Sequence, residues 1–377
     1  MKKVFHIVTV SKSISLMDGQ VEFLKRNNYD VHLVSSEGDE LYKYNPLKVH
    51  TVNMVREISL INDFKSLINM IILFIKEKPS LINSGTPKAG LIGTLAAFIT
   101  RRPIRIYTVR GLRLETVSGV KFKILFMMEK LAMFCATDII AISDSLKDKI
   151  INLGLVKEDK ITVLGRGSSN GLKLEKFNMK ANKIDDKIKE KIKDKFVIGF
   201  VGRITKDKGI SELLEAFRKI DEKHDECILL IIGSIENGDP ILPEDLKFIE
   251  ENPKIIHINH VNNPINYYNN MHVLVFPTHR EGFGNVSIEA QALEVPVITY
   301  DVTGAKDTVL HNKTGFIVPK KDSKAISDKL SYFYQNEDKR IEFGLNGRKW
   351  VFENFSNEMI WDELLKLYND RMKKLKY

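Results

Sequence analysis

The stretch FVIGFVGRITKDKGISELLEAF, residues 196–217, reads as a strand, a basic loop and a helix in immediate succession. A short apolar run closes at Gly202, the loop carries Arg203, Lys206 and Lys208, and from Gly209 onward the apolar residues recur at helical spacing. The alternation extends in both directions. In the first half VFHIVTV, VHLVSS, SLINSG, IRIYTV, DIIAIS and ITVLG have strand character, with GQVEFLKRN, DFKSLINMIILFIKE and KAGLIGTLAAFIT as helices between them. In the second half CILLIIG, KIIHINH, VLVFP and VPVITY alternate with LPEDLKFIEE, PINYYNN and the segment after Gly284. Short β-branched runs separated by amphipathic stretches predict parallel sheets covered by helices, here as two doubly wound α/β domains. A ligand cleft is then expected between them, at the carboxyl ends of the strands.

The polar segment NGLKLEKFNMKANKIDDKIKEKIKDK, 170–195, separates the halves and reads as a linker followed by an exposed helix. The expected domains are 1–172 and 173–355. The closing SNEMIWDELLKLYNDRMKKLKY, 356–377, has apolar residues at helical spacing and is able to cap either one.

Length supports the division, since 377 residues exceed one ordinary core. The two cysteines, Cys135 and Cys227, lie in apolar segments of different halves, which favours reduced buried thiols in a cytoplasmic protein over a disulfide framework. The opening MKKVFHIVTVSKS has too short an apolar run for a secretory signal, and INMIILFI and LIGTLAAFI are too short to cross a bilayer. Of the net charge of +9, all falls in residues 1–172, with seven basic residues and one acid in 101–123. A solvated face, an anionic membrane surface, an anionic substrate and nucleic acid are the readings of such a cluster. No nucleic-acid reading motif accompanies it, and nucleic acid is not expected as a partner. The segment VKFKILFMMEKLAMF, 120–134, sets lysines beside large apolar residues. It reads either as an ordinary core helix or as a peripheral anchor on the inner face of the plasma membrane.

Two motifs carry chemistry. The loop after Gly202 brings Arg203, Lys206 and Lys208 to the N-terminus of a helix, which suits a diphosphate. EGFGNVSIEA, 281–290, follows another strand; its glycines permit close backbone approach, and a helix beginning near Asn285 presents N–H groups to an anion. Glu281 and Glu289 cannot serve a phosphate, but an ionised carboxylate accepts from two vicinal hydroxyls at once. Cations for phosphates and carboxylates for sugar hydroxyls together describe a nucleotide sugar. Taken singly, each motif is also what surface lysines at a strand–helix junction, or an acid in a first helical turn, would look like.

The pattern Gly202-Arg203 with Lys208-Gly209, followed by Glu281, Gly282, Phe283, Gly284 and then Glu289-Ala290, resembles the retaining glycosyltransferases of family 4, which have the GT-B fold. GSSNGLKLEKF, 167–177, is similar to that family's interdomain segment, with Lys173 in place of the usual acid. The resemblance implies that Arg203 and Lys208 bind the donor diphosphate. It implies further that the backbone around Gly282, Phe283, Gly284, Asn285 and Val286 holds sugar and phosphate, that Glu281 faces the transferred sugar, and that Glu289 takes the ribose hydroxyls. By the same resemblance the final helix crosses back onto the first domain.

NSGTPKAGLIGTLAA and TVRGLRLET are similar to a narrower group, the CapM-like transferases of bacterial surface and capsular polysaccharide synthesis. Lys88, Arg110 and Arg113 are the acceptor-side candidates on this basis. Relatives often carry histidine in these two loops, whereas this chain has Asn83 and Ser84 in one and Arg110 in the other; the loop SKSISLMDG holds a single Gly19 where many have a glycine pair.

The function expected is transfer of a sugar from a nucleoside diphosphate donor, UDP by family habit, to a glycan or polyprenyl-linked acceptor with retention. No cofactor is expected. No D-x-D occurs in the chain, so no carboxylate-held metal is expected either, and the leaving phosphate can itself take the acceptor's proton. A nucleotide-sugar epimerase of the same fold, or a nucleic-acid-binding protein, are the rivals; formation of product from donor alone, or an electrophoretic shift at moderate salt, would reveal them.

Overall fold

The computed structural model describes residues 2–43, 48–179, 184–236, 238–261 and 263–375. Residues 180–183 of the linker segment lie outside these. The chain divides into two compact units, one made of Met1–Gly171 with Asn357–Tyr377, the other of Leu172–Ser356.

In the first unit seven strands form one parallel sheet: β1 (Lys2–Ile7), β2 (Tyr29–Ser35), β3 (Lys48–Thr51), β4 (Leu81–Ser84), β5 (Ile104–Val109), β6 (Asp138–Ala141) and β7 (Ile161–Val163), in the order β3-β2-β1-β4-β5-β6-β7. Successive residues of a strand point to opposite faces, and the core divides accordingly. Val4, Leu33 and Leu81 share a cluster with Ile360, Leu364, Tyr368 and Met372 of the final helix, Asn357–Lys374. Phe5, Ile7, Val34 and Ile82 turn the other way and pack with Met70 and Phe74 of the helix Leu60–Glu77 and with Ala89, Ile92 and Ala96 of the helix Pro87–Ile99.

The second unit holds six parallel strands: β8 (Phe196–Val201), β9 (Cys227–Ile232), β10 (Ile255–Ile258), β11 (Val273–Phe276), β12 (Val297–Tyr300) and β13 (Gly315–Val318), in the order β10-β9-β8-β11-β12-β13. Most of these strands are buried throughout, which is why they read as unbroken Val and Ile runs instead of alternating with polar residues. The helix Ile210–Asp221 covers them with Ile210, Leu213, Leu214, Phe217 and Ile220, an apolar stripe at intervals of three and four. Cys135 and Cys227 are buried free thiols, and burial pushes the Cys227 thiol up to about 12.

Candidate active site

In the second unit strand order runs outward in opposite directions from β8 and β11, which are hydrogen-bonded neighbours with Val273 opposite Ile198. The loops leaving their carboxyl ends therefore flank a switch point, where doubly wound sheets take their ligands. These are the two motif-bearing loops. His279 N–H donates to the Asp207 carbonyl at 2.8 Å and so ties one to the other. Gly209, at φ 72°, caps the helix Ile210–Asp221 and lies so close to the end of β11 that a Cβ would fall 2.0 Å from the Pro277 carbonyl oxygen. Gly284, at φ 97°, caps the helix Asn285–Ala292, and a Cβ there would meet the Phe276 ring at 2.6 Å. Glycine is required at both points, by backbone conformation and by space.

The charged side chains of the two loops interlock. Lys208 Nζ donates to Glu281 Oε2 at 2.5 Å and lies 6.0 Å from the centre of the Phe276 ring. Arg203 pairs at 2.8 Å with Glu236 on an open rim, both side chains about half exposed, so this pair contributes little stability. Arg280 approaches Asp207 at 3.8 Å, and its Nε is buried without a hydrogen-bond partner among the described residues. Burial works to raise the Asp207 carboxyl, but the Thr205 hydroxyl, 2.6 Å away, and the charges of Lys208, Arg280 and Arg203 hold it below the ordinary carboxylate range. Three cations thus gather about one carboxylate.

Glu289 stands one turn into the helix Asn285–Ala292 and accepts from the hydroxyl of the buried Tyr268 at 3.0 Å. Burial holds its carboxyl above the ordinary range, with the Tyr268 hydroxyl acting in the opposite direction. Phe283 is buried 5.4 Å from Phe355, so within its motif only its backbone remains for a ligand. The N-cap of the helix Asn285–Ala292 is Gly284, which brings no side chain of its own to the first-turn N–H groups. The arrangement interlocks cations and carboxylates on the two loops beside the glycine-capped helix start at Asn285.

The acceptor-side candidates lie in the first unit and differ from one another. Lys88 is buried, its ammonium bonded to the Glu57 carbonyl and, at 2.6 Å, to Asp63, so its charge is balanced within the fold. Arg110 donates to Ser169 Oγ at 2.6 Å and to the Gly85 carbonyl at 2.5 Å, and burial lowers it to about 10. Arg113 is exposed at the start of the turn Arg113–Thr116. Beside Arg110 a buried polar chain crosses the ends of three strands. Thr108 donates to Asn83, Asn83 to the Tyr368 hydroxyl at 2.8 Å, and that hydroxyl lies 3.3 Å from His6 Nε2. Burial and Arg110 together drive His6 down to about 3, so it is a neutral structural group.

Among the described residues one cluster has metal-ligand composition: His32, His50 and Glu77, in the first unit. Four of its polar atoms already have partners there. His32 Nδ1 lies 2.8 Å from His50 Nε2, His32 Nε2 lies 3.2 Å from Asp30, and Lys3 pairs with Glu77 at 2.9 Å.

Residues 182–350 match the family model for glycosyl transferases group 1, and residues 4–143 match that for glycosyl transferase 4-like proteins. Over 372 residues the chain is 60% identical to the capsular polysaccharide biosynthesis glycosyltransferase CapM of Staphylococcus aureus, covering 99% of this chain and 98% of that protein. The chain belongs to the group 1 glycosyltransferases. It is also 28% identical, over 93% of its length and 92% of the relative's, to the UDP-Gal:alpha-D-GlcNAc-diphosphoundecaprenol alpha-1,3-galactosyltransferase of Escherichia coli. Among solved structures, sucrose-phosphate synthase from Thermosynechococcus elongatus superposes with a TM-score of 0.80 at 19% identity, covering 99% of this chain and all of that one. A glycosyltransferase from Rickettsia africae gives 0.78 at 20% identity, covering 98% of each. The fold is GT-B.

Several residues of this glycosyltransferase's candidate site went unread in the sequence. Asp207 lies inside the first motif and Arg280 immediately before the second, but neither carries a role in the sequence pattern. Tyr268 has no signal near Glu289, because their meeting depends on packing between elements 21 residues apart.

Proposed function

We propose that this glycosyltransferase moves a sugar from a nucleoside diphosphate donor, UDP being the nucleotide, to a hydroxyl of a glycan or polyprenyl-linked acceptor during synthesis of a bacterial capsular or other surface polysaccharide. The anomeric configuration is retained and no metal takes part. The observation that carries this reading is the gathering of Lys208, Arg203 and Arg280 about Asp207, with Glu281 paired to Lys208, on loops flanking one switch point; Glu289 lies in the helix that follows the second loop. The names of the Staphylococcus aureus and Escherichia coli relatives support the polysaccharide setting, the UDP donor and the lipid-linked acceptor.

As the sugar–phosphate bond breaks, negative charge grows on the departing diphosphate and positive charge on the sugar ring. Lys208 and Arg203 exchange their carboxylate partners for phosphate oxygens, and the glycine-capped start of the helix Asn285–Ala292 adds main-chain donors. Such fixed donors stabilise most where charge develops. Glu281, released by Lys208, accepts from a sugar hydroxyl, and Glu289 accepts from the ribose. The leaving phosphate takes the acceptor's proton. On the acceptor side, the exposed Arg113 is the cation open to an incoming anionic group.

The test combines a panel of nucleoside diphosphate sugars, screened by thermal shift, with analysis of the transfer product. One donor should stabilise the protein selectively, its sugar should appear on the acceptor in the original anomeric configuration, and EDTA should leave the rate unchanged. Inversion at the anomeric carbon, a strict divalent requirement, or conversion of the donor to an epimer without acceptor would each overturn the corresponding part.

A further inference from the structure

We infer that the helices Leu60–Glu77, Pro87–Ile99 and Gly119–Cys135 of the first unit present a docking face for an anionic lipid bilayer. The first two share one core cluster on a single face of the sheet, and the third is joined to the second through Thr94, which donates to the Ala132 carbonyl at 3.1 Å. Leu60–Glu77 buries Ser66, Met70 and Phe74. On its outer side Ile61, Phe64, Ile68, Ile72 and Ile75 are all exposed, Ile61 at 72% and Phe64 at 64%. Gly119–Cys135 repeats the pattern with Val120, Ile124, Met127, Leu131 and Phe134, Val120 at 74% and Phe134 at 68%. Intervals of three and four residues make each set one continuous stripe. The exposed Phe98 of the middle helix reaches toward the second stripe, its ring 6.0 Å from that of Phe134. Scattered exposed apolar residues are normal, but contiguous stripes mark an interaction surface.

The charges select the occupant. The three helices carry only three acids. Asp63 is paired with Lys88, Glu77 with Lys3, and Glu129 is buried against the Tyr107 hydroxyl at 3.0 Å. The cations beside the stripes, Lys65, Lys76, Lys121, Lys123 and Lys130, are exposed. A second copy of this chain on the same face would set like charge against like. A bilayer containing anionic lipid accommodates both the apolar stripe and the lysines. No described helix is long and apolar enough to cross a membrane, so the helices lie along the surface. From the second stripe opens a groove of about 1000 Å³, in which Met127, Leu131 and Phe134 meet Lys130, Lys157 and Lys374; of its two carboxylates Asp138 is paired with Arg371 and Asp159 stands exposed, so the cations prevail where a headgroup phosphate would lie beside a lipid chain on the apolar side.

The experiment is flotation of the full chain with vesicles of phosphatidylglycerol and phosphatidylcholine in equal parts, against vesicles of phosphatidylcholine alone. Binding is expected only to the former and should fall steeply with salt. The variants F64S/I72S and M127S/F134S should each weaken partitioning about tenfold or more, as should K121E/K123E. All six positions are exposed, so melting temperature and nucleotide-sugar binding should stay at the parent values and separate loss of docking from loss of fold or of donor site. Failure of the parent protein to float at low salt would overturn the inference, as would a dimer in solution that the serine variants convert to monomer.

Discussion

Lys208 and Glu281, 73 residues apart in the chain, meet at 2.5 Å where the loops after two neighbouring strands converge. The contact joins the cation expected at a donor phosphate to the carboxylate expected at a donor sugar, so neither reaches its ligand without releasing the other. Lys208→Ala should lower kcat/KM by roughly two orders of magnitude. Arg203→Ala should act in the same direction through its own phosphate contact. Glu281→Gln should also slow transfer, and the double variant Lys208→Ala/Glu281→Gln should lose less than the two single losses combined. Strict additivity in this cycle would show that the contact has no part in turnover.

The Tyr268–Glu289 hydrogen bond gives a prediction in pH. Burial raises the Glu289 carboxyl and the Tyr268 hydroxyl opposes that rise by stabilising the ionised form. Tyr268→Phe removes the opposition, so the carboxyl must be protonated at higher pH than before. If ionised Glu289 holds the ribose, the acid limb of kcat/KM for the donor moves toward neutral pH in the variant. An unmoved limb would separate Glu289 from donor binding.

Glu129 supplies a stability test remote from the chemistry. Burial raises its carboxyl to about 7, with the Tyr107 hydroxyl acting the other way. A carboxyl whose folded value lies above its unfolded one favours the native state while protonated; that contribution is complete below about 4.5 and is lost as pH rises through about 7. Glu129→Gln should therefore flatten the decline in melting temperature between those limits. Its gain at alkaline pH should be of the order of 1–3 kcal/mol.

Deleting residues 357–377 removes Ile360, Leu364, Tyr368 and Met372 from the core of the first unit. Each large apolar residue lost from a core costs about 2–5 kcal/mol, so the deletion should unfold that unit. The second unit keeps its own strands and cores. Calorimetry should retain its transition in the truncated chain, and loss of both would show that the second unit depends on the first.

The central strands and the two motifs were legible because burial on both faces turns a parallel strand into an unbroken apolar run, and because a phosphate loop needs glycine and cations at fixed spacing. Edges were not. KVHT of β3 carries exposed ends, and GFIV of β13 is too short for periodicity to separate from a loop. In the site, Lys208 and Glu281 were read individually but their pairing was not, since nothing in either motif fixes which carboxylate a lysine faces. The helix Leu60–Glu77 illustrates the opposite limit. Its sequence has apolar residues on nearly every side, and only the packing of Met70 and Phe74 reveals which of them turn outward.

The return of the final helix to the first unit carries a consequence for synthesis. The second unit is one uninterrupted run of chain, whereas the first is assembled from two pieces that flank it. Domains usually mature in the order in which they leave the ribosome. Here the order is reversed: the unit begun first is the last to be finished, because Tyr368, which joins Asn83 and His6, is translated only after all of the second unit. Until then the sheet face that Ile14, Val21 and Leu24 already pack against lacks the part of its core that Ile360, Leu364, Tyr368 and Met372 supply.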